Sequence, residues 1–466
     1  MEEISASSLA GELAAIVGEE NVLTDGPELI PYTRGSIDSG SHRPLAVVFP
    51  GSVEEVSGII RVARRLRVPV VPRGGGSSPT GAVVPVKGGI VLDMKRLHDI
   101  VVRVEDGLVE AGAGATLQEV DAECRRHGYF FPPDPSSVRV ATVGGAISEN
   151  SGGMRCARFG VVKDWVLKVE AVLSDGTVTR FGEETYKNRA GFNILGLLIG
   201  SEGTLCVFTR AWLKIMPLPE RLRRFAIFFS TIDDAAECIM DIRRSGVNPF
   251  ILEYADRHGI EVANSVRKTD FPAPDGGMLI VDMDCLQGSE QRARQKLMEV
   301  VVRHRPQLVM EAQTREEEEA ILEVRRIAFT APGRLYSGFI DGDIVVPLSR
   351  IREAMDGIER IREKYGVYIA TCGHVGDGNL HPQIGADINN REEWERAREA
   401  AREIDRLAIN LGGSITGEHG IGYLKQDMLV EQFRARSMEA NLDIMRGLKR
   451  LFDPDNILNP GKFALD

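Results

Sequence analysis

The stretch that decides the fold is Pro72-Arg73-Gly74-Gly75-Gly76-Ser77-Ser78-Pro79-Thr80-Gly81, which follows a short apolar strand predicted at 68–71. Consecutive glycines expose backbone N–H groups that no side chain covers, and two serine hydroxyls add further donors. The loop is therefore suited to wrapping a pyrophosphate. A flexible hairpin is the alternative. The stretch has neither the Gly-Lys-Ser/Thr ending of a Walker loop nor the G-x-G-x-x-G spacing of a nicotinamide fingerprint.

A second glycine-rich stretch, Thr142-Val143-Gly144-Gly145-Ala146-Ile147-Ser148-Glu149-Asn150-Ser151-Gly152-Gly153, has two Gly-Gly pairs eight residues apart that bracket a short helix. Close approach of a planar ligand would explain both pairs, and close packing of two backbones is the alternative. Further along, Asp175-Gly176 predicts the turn of a hairpin between strands at 166–173 and 178–181. Pro217-Leu218-Pro219 marks a domain boundary.

Two polar turns lie late in the chain, Gly373-His374-Val375-Gly376-Asp377-Gly378-Asn379-Leu380-His381-Pro382 and Thr416-Gly417-Glu418-His419-Gly420-Ile421-Gly422. The glycines of the first predict a tight turn that is neither helix nor strand, so that both imidazoles can face one cleft. Two histidines and a glutamate are a common ligand set for a catalytic divalent metal, and the third histidine would remain for proton transfer. Taken singly, each is also typical of an ordinary hydrogen-bonded loop side chain.

Composition limits the classes of function. At 466 residues the chain exceeds one hydrophobic core and predicts two or three domains. A net charge of −11 argues against a nucleic-acid partner. The six cysteines form no C-x-x-C pair, which indicates neither a disulfide framework nor an iron–sulfur cluster. Met1–Ile4 lacks the basic start of a signal peptide and no transmembrane run of eighteen apolar residues occurs, so we expect a cytoplasmic protein.

Beyond the boundary at 217–219, strands alternate with longer helices, which predicts an α+β domain with an antiparallel sheet covered by helices. The predicted strands are 225–229, 250–254, 278–282, 308–311, 344–346 and 367–372. The predicted helices are 233–245, 256–265, 287–304, 315–329, 350–365, 391–411 and 437–452.

Taken together, the motifs resemble the flavin-dependent 2-hydroxy-acid dehydrogenases, the family that includes the flavin-binding part of glycolate oxidase, D-lactate dehydrogenase and D-2-hydroxyglutarate dehydrogenase. The resemblance runs from about residue 30 to 463 and implies the vanillyl-alcohol-oxidase type of FAD fold. It implies a two-part FAD-binding domain at 1–217 and an α+β substrate- and metal-binding cap domain at 218–420. A C-terminal helical segment at 421–466 would return to the FAD domain.

The resemblance also implies roles for individual residues. His374, His381 and Glu418 would bind a divalent metal, Zn²⁺ first with Fe²⁺ or Mn²⁺ as alternatives, and His419 would be the catalytic base. Arg325 would hold the substrate carboxylate, although its charged sequence context is more typical of a solvated helix face. The FAD-binding residues would be Arg73, Gly74, Gly75, Gly76, Ser77, Ser78, Gly81, Pro133, Asp134, Ser136, Thr142, Gly145, Asn150, Gly152, Gly153, Glu202, Gly203, Val207 and Asn459.

Two departures from the family pattern are informative. Ser77-Ser78 stands where the family usually has Thr-Gly, which keeps a hydroxyl and loses a glycine. No histidine occurs in the loop Arg73–Gly81, so FAD is expected to be noncovalent. In the dicarboxylate-oxidising branch, a lysine stands six residues before the proline that matches Pro347. Here that position is Asp341, which favours a small monocarboxylate.

The resemblance therefore implies oxidation of a small (R)-2-hydroxy acid, D-lactate or glycolate, to the 2-oxo acid, by metal-assisted proton abstraction and hydride transfer to FAD. Electrons would pass to an electron-transfer flavoprotein or an iron–sulfur subunit, and membrane association would occur only through such a partner. Three alternatives stay open. They are a D-2-hydroxyglutarate dehydrogenase, a non-catalytic FAD subunit of an electron-transfer complex, and a metallohydrolase, which would leave the glycine loops unexplained.

Overall fold

In a computed structural model, which describes residues 6–35 and 40–465, the chain divides into two compact units. Unit 1 consists of the residues up to Gly152, Val161–Leu218 and the chain from Glu418 onward. Unit 2 consists of Gly153–Gly160 and Pro219–Gly417. The stretch Gly153–Gly160, which lies inside the predicted first domain 1–217, thus belongs to unit 2. The N-terminal Met1–Ile4, used above to predict location, lies outside the described residues.

Unit 1 contains a small sheet that positions the first glycine-rich loop. Its strands follow the order Val22–Leu23, Ala46–Val48, Ile90–Asp93 and Val70–Arg73, and the last three run parallel. The sequence Ser52-Val53-Glu54-Glu55 predicts the start of a helix. The connecting helix Val53–Leu66 begins there, because the Ser52 hydroxyl accepts the N–H of Glu55 at 3.2 Å. The loop Arg73–Gly81, here called the glycine loop, therefore leaves the carboxyl end of a buried parallel strand.

A second sheet of unit 1 is antiparallel and has the strand order Ile100–Arg103, Leu108–Gly112, Val207–Lys214, Val166–Val172 and Val178–Gly182. The last two strands form the hairpin predicted from Asp175-Gly176. The remaining helices of unit 1 are Ala6–Val17, Leu117–Arg126, Val143–Glu149, Ile194–Leu198, Gln426–Ala435 and Ala440–Phe452, with a strand pair Tyr129–Phe130 and Met216–Pro217. The sequence did not predict the helix Gln426–Ala435.

Unit 2 is built on one antiparallel sheet, as predicted. Its strands follow the order Leu308–Glu311, Arg221–Phe228, Met278–Cys285, Ile251–Ala255, Tyr368–Gly373, Asn379–Ala386 and Gly338–Asp341, and Ile344–Val345 pairs with Asn379–Ala386. Its helices are Cys156–Phe159, Ile232–Arg244, Arg257–Arg267, Glu290–Val301, Arg315–Thr330, Pro332–Leu335, Ile351–Tyr365 and Arg391–Asn410.

Successive residues of these strands point to opposite faces of the sheet, and each face packs in its own core. Phe225, Ile227 and Leu252 belong to one apolar cluster, whereas Ala226 and Phe228 belong to another. Both faces of the sheet are therefore covered. A charged side chain that points inward from such a strand must find a partner.

The sequence prediction was wrong for one of the two histidines. His381 lies inside the strand Asn379–Ala386, and the turn is confined to the residues after Gly373. Every position of that strand is buried, and His381 and Gln383 are polar, so the apolar alternation that marks a strand is absent. The strand Gly338–Asp341 was also missed. Among the described residues, no helix combines the length and apolar character needed to cross a membrane.

Candidate active site

Unit 1 contains a cavity whose wall brings together six of the predicted cofactor-binding residues. These are Arg73, Gly74, Thr142, Gly145, Glu202 and Gly203. The wall also includes Ser148 and Glu149, which the sequence analysis did not select. The signal that could have found them is their position on the helix between the two Gly-Gly pairs. Three sequence-distant stretches thus meet at one cavity.

Two glycines of the glycine loop are required by packing. A Cβ on Gly74 would lie 2.0 Å from the Thr142 hydroxyl, and a Cβ on Gly75 would lie 1.8 Å from the carbonyl oxygen of Val140. Gly76 has a φ of +67°, which L side chains rarely adopt. The loop is therefore a shaped backbone held against residues 140–142, and the alternative of a flexible hairpin is wrong.

The loop also has donors that fit an anionic cofactor. Among the described residues, none accepts a hydrogen bond from the backbone N–H groups of Gly74 to Ser78. The Nη1 atom of Arg73 is buried and has no hydrogen-bond partner in the described part of the chain. Burial lowers the pKa of Arg73. These unsatisfied donors, together with glycines that leave room for close approach, fit the pyrophosphate of a dinucleotide.

Several predicted cofactor residues have a structural role in unit 1. The Thr142 hydroxyl accepts the N–H of Gly145 and begins the helix Val143–Glu149. Asn150 ends the same helix with a φ of +53°, and its Oδ1 accepts the N–H of Lys163 at 2.9 Å. The Asn459 amide donates to the carbonyl oxygens of Ala82 and Glu202, at 2.9 and 2.7 Å.

The other predicted cofactor residues do not line this cavity. They are Gly75, Gly76, Ser77, Ser78, Gly81, Pro133, Asp134, Ser136, Asn150, Gly152, Val207 and Asn459, and Gly153 belongs to unit 2. Gly81 packs against Tyr423, since a Cβ at Gly81 would lie 2.6 Å from the tyrosine ring. The Thr80 hydroxyl next to it donates to the carbonyl oxygen of His419 at 3.1 Å. The end of the glycine loop therefore fixes the backbone that carries His419.

Two glutamates of unit 1 lie close together in a buried setting. The Glu202 carboxylate accepts the backbone N–H groups of Ile421 and Gly422, at 2.7 and 2.8 Å. A Cβ at Gly420 would lie 2.6 Å from an oxygen of Glu149 and 2.6 Å from an oxygen of Glu202. Burial raises the pKa of Glu202 to about 7. Burial, followed by the charge of Glu202, raises the pKa of Glu149 well above its ordinary value.

In unit 2, the strands Tyr368–Gly373 and Asn379–Ala386 bring His374 and His381 together. The two rings lie with centroids 5.0 Å apart and nearly perpendicular, and a nitrogen of each lies within 4.8 Å of the other. His381 is opposite Cys372 in the strand register, and both histidines are buried. Two imidazoles at this separation are suited to share one metal ion.

Glu253 is one residue of this site that the sequence analysis missed. Its side chain is fully buried, its Oε2 accepts the Nε–H of Arg325 at 2.7 Å, and its Oε1 lies 2.7 Å from Nδ1 of His374. A signal existed in the sequence, because Glu253 interrupts the apolar strand Ile251–Ala255, all of whose positions are buried. A carboxylate at such a position has to be paired.

The expectation that Arg325 is a solvated helix charge is wrong. Its side chain is 4% exposed, and its Nη1 donates to the sulfur of Cys372 at 3.1 Å. The neighbouring Arg326 is the exposed member of the pair and contacts Glu319 and Glu323. Helical spacing separates the two arginines, since consecutive residues of a helix differ by about 100° in direction. The many charged residues of this helix therefore made Arg325 look exposed in the sequence, although it is buried.

Asp343 fixes the chain just before Glu418. Its carboxylate accepts the Thr416 hydroxyl at 2.6 Å, the Gly417 N–H at 2.8 Å and the Asn379 amide at 2.7 Å. Glu418 and His419 follow directly in sequence and belong to unit 1, where their side chains are each 11% exposed, with Glu418 Oε1 and His419 Nε2 3.9 Å apart.

Asp341 lies across the sheet from Gln383, and the Gln383 amide donates to its carboxylate. Gln383 is two residues from His381 on the same strand, so both side chains point to the same face. The carboxylate of Asp341 therefore lies on the sheet face that carries the histidine.

Comparison with known proteins assigns the family. Residues 218–463 match the family described as FAD linked oxidases, C-terminal domain, and residues 44–182 match the FAD binding domain family. The chain belongs to the FAD-linked oxidases. The sequence-based recognition of the family, and of FAD as its cofactor, is confirmed.

Individual relatives cover nearly the whole chain. The chain is similar to glycolate oxidase subunit GlcD of Bacillus subtilis (strain 168), at 37% identity over 98% of this chain and 96% of that protein. It is similar to D-lactate dehydrogenase of Archaeoglobus fulgidus, at 36% identity over 90% of this chain and 91% of that protein. Among solved structures, p-cresol methylhydroxylase has the same fold, with a TM-score of 0.82 at 18% identity, covering 99% of this chain and 97% of that one.

Proposed function

We propose that this chain is a dehydrogenase that oxidises a small (R)-2-hydroxy acid, D-lactate or glycolate, to the 2-oxo acid. The observation that carries the proposal is the buried cluster of Glu253, Arg325 and His374 in an FAD-linked oxidase. A buried arginine offers the planar guanidinium donors that bind a substrate carboxylate. The names of the two relatives support the same substrate class.

The residues that would hold FAD are the backbone N–H groups of the glycine loop and Arg73 at the pyrophosphate. Thr142, Gly145 and Gly203 would lie against the remainder of the cofactor, since all three line the same cavity. When bound, FAD supplies the acceptor for the hydride from carbon 2 of the substrate. The absence of a histidine from the glycine loop supports noncovalent binding.

The residues that would hold a divalent metal are His374, His381 and Glu418, with Zn²⁺ as the first candidate and Fe²⁺ or Mn²⁺ as the others. Support comes from the paired imidazoles of unit 2 and from the anchoring of Gly417, the residue before Glu418, by Asp343. When bound, such a metal polarises the substrate hydroxyl as a Lewis acid. Imidazole and carboxylate ligands suit all three metals.

Arg325 and His419 would carry out the remaining steps, which are substrate binding and proton transfer. Arg325 binds the substrate carboxylate and holds carbon 2 in place. His419 accepts the proton of the substrate hydroxyl on an imidazole nitrogen, while carbon 2 loses a hydride and becomes the carbonyl carbon of the 2-oxo acid. The proton on His419 returns to solvent after the product leaves. One proton and one hydride are removed, which balances a two-electron oxidation.

Asp341 supports a monocarboxylate. Its carboxylate lies on the His381 face of the sheet, where a second substrate carboxylate would be repelled. Two like charges about 4 Å apart at an effective dielectric of 20 repel by about 4 kcal/mol.

We further propose that electrons leave through a protein partner, an electron-transfer flavoprotein or an iron–sulfur subunit. The six cysteines show no cluster-binding spacing of their own, so a cluster would be carried by the partner. A cytoplasmic location, with membrane association only through that partner, is part of the same proposal.

Steady-state assays with an artificial electron acceptor test the substrate assignment. We expect kcat/KM for D-lactate or glycolate to exceed that for D-2-hydroxyglutarate, and Asp341→Lys to shift the ratio toward the dicarboxylate. Asp443→Lys, the same charge change at a side chain that is 81% exposed, serves as the control and should leave the ratio unchanged. A wild-type preference for D-2-hydroxyglutarate would contradict the assignment, and an unchanged ratio in Asp341→Lys would contradict its stated cause.

A further inference from the structure

The buried carboxylate of Glu253 contacts two residues of the proposed site. One is Arg325, to which we assign the substrate carboxylate, and the other is His374, to which we assign the metal. Glu253 Oε2 accepts Arg325 Nε–H at 2.7 Å, and Glu253 Oε1 lies 2.7 Å from His374 Nδ1. The side chains of the three residues are 0%, 4% and 5% exposed. Hydrogen bonds of this length between buried side chains strongly restrict the orientation of Arg325 and His374.

We propose that Glu253 is a positioning residue that sets the tautomer of His374 and the orientation of Arg325. The proposal rests on the proposed function, in which His374 binds a metal and Arg325 binds the substrate carboxylate. In this scheme Glu253 itself contacts neither the substrate nor the metal. It acts through the two side chains that do.

The tautomer follows from the hydrogen-bonding capacity of the groups. An ionised carboxylate can only accept hydrogen bonds, so Nδ1 of His374 has to carry a proton. In the neutral imidazole, a proton on Nδ1 leaves the lone pair on Nε2. Nε2 is therefore the nitrogen that can coordinate a metal. Ligating histidines generally donate their other ring N–H to a carboxylate or carbonyl in this way.

The same carboxylate restricts how Arg325 can meet a substrate. The guanidinium is a planar fork, and its Nε side is taken by Glu253 while Nη1 also contacts the Cys372 sulfur. A substrate carboxylate would therefore be bound through the Nη groups and not through the Nε side. The positive charge of Arg325 balances the charge of Glu253, which makes a buried carboxylate tolerable at this position.

Replacement of Glu253 by glutamine separates the two functions of the carboxylate. The amide has one acceptor and one donor side, and the charge of Arg325 favours the oxygen next to the guanidinium. The amide N–H group then faces Nδ1 of His374, which has to become an acceptor. The proton of the imidazole moves to Nε2, and the lone pair leaves the nitrogen that would bind the metal.

The test is the ¹⁵N spectrum of the histidine side chains in the FAD-bound protein after removal of metal by a chelator. The protein has eight histidines, and the signals of His374 are identified by their loss in His374→Asn. We expect wild type to show His374 protonated on Nδ1, and Glu253→Gln to show it protonated on Nε2. Glu170→Gln, at another buried glutamate that pairs with an arginine, should leave the spectrum of His374 unchanged. A His374 tautomer that is the same in wild type and Glu253→Gln overturns the proposal.

Two further measurements separate the proposal from the proposed function. Titration with Zn²⁺ should show an affinity about 10–100-fold weaker in Glu253→Gln than in wild type. Glu253→Asp keeps both acceptor oxygens and should retain the Nδ1–H form of His374. This variant also decides the proposal if Glu253→Gln does not fold, because an Nε2–H form in Glu253→Asp overturns it. Failure of wild type to bind Zn²⁺, Fe²⁺ or Mn²⁺ overturns the metal part of the proposed function, and the tautomer result still decides for Glu253.

Discussion

Two groups of buried glutamates in this protein are stabilised in different ways. In unit 2, Glu253 lies against the guanidinium of Arg325, with 2.7 Å between Oε2 and Nε. In unit 1, Glu149 and Glu202 lie close to each other, and among the described residues neither forms a hydrogen bond with an arginine or a lysine. Burial accordingly raises the pKa of both, to about 7 for Glu202.

The difference shows how the environment decides what a buried carboxylate can do. A carboxylate that is paired with a cation stays an acceptor and can fix the geometry of its neighbours. A carboxylate that is not paired with a cation binds a proton more tightly and can act as a neutral donor. The paired carboxylate of Glu253 is suited to positioning Arg325, the proposed substrate-binding residue, and His374, a proposed metal ligand. The second kind lines the cavity in which we place FAD.

The largest expected effect concerns His419, to which we assign the proton transfer. In His419→Asn, the rate of FAD reduction by substrate should fall by about 10²–10⁴-fold, because the amide cannot accept a proton. FAD and metal content should stay at the wild-type level. His304→Asn, which removes an imidazole paired with Asp241, is the control and should keep the full rate. Loss of metal along with activity would instead assign His419 to the metal and Glu418 to the proton.

The pairing of Glu253 with Arg325 is tested by removal of one partner. Glu253→Ala should lower the free energy of unfolding by about 3–5 kcal/mol, because it leaves a buried guanidinium charge without its counter-ion. Denaturant unfolding of the FAD-bound protein measures this value. Glu149→Gln is the matched comparison and should change stability little, since the amide resembles a protonated carboxyl group in size. Equal losses in the two variants would remove the distinction between the two groups of glutamates.

A smaller effect is expected at Glu202, whose two acceptor oxygens serve two backbone N–H groups. Glu202→Gln offers one acceptor and turns its amide N–H toward the second donor, which should lower the free energy of unfolding by about 1–3 kcal/mol. The measurement belongs above pH 7, where most of the wild-type side chain is ionised. A variant as stable as wild type would show that these two hydrogen bonds contribute nothing to stability.

The last expected change is a slope of stability with pH at Asp256, a partly buried carboxylate that accepts the N–H groups of Gly259 and Thr371. Burial raises its pKa from the ordinary 3.8 to about 7. Between these two values the unfolded state has lost its proton and the folded state retains it, so stability falls as pH rises and the loss is complete above about 7. In Asp256→Asn this contribution disappears, and the fall in stability between pH 4 and 7 should be shallower. A slope identical to that of wild type contradicts the raised pKa.

The sequence predicted those parts of the fold that depend on local chemistry. The spacing Thr116-Leu117-Gln118-Glu119 predicts a capping box. In the structure the Thr116 hydroxyl accepts one N–H and the Glu119 carboxylate another. The hairpin at Asp175-Gly176 and the antiparallel sheet of unit 2 were also predicted correctly. For the capping box and the hairpin the signal lies within a few neighbouring residues, and for the sheet it lies in the alternation of strands and helices along the chain.

The sequence did not predict the features that depend on distant partners. His381 lies in a strand because Cys372 and Asp341 lie on the strands at either side, and nothing near His381 in sequence indicates this. Arg325 is buried because Glu253, 72 residues away, neutralises it. The sequence therefore shows the histidines of the unit 2 site, whereas the pairing of Glu253 with Arg325 and His374 is seen only in the folded sheet.

The most direct test of the central claim is anaerobic mixing of the wild-type protein with D-lactate or glycolate while the visible absorbance of FAD is followed. We predict that the absorbance bleaches with D-lactate or glycolate and not with L-lactate. In His381→Ala the bleaching should be lost while FAD stays bound. A protein that retains FAD and metal, yet bleaches with neither D-lactate nor glycolate, would contradict the account.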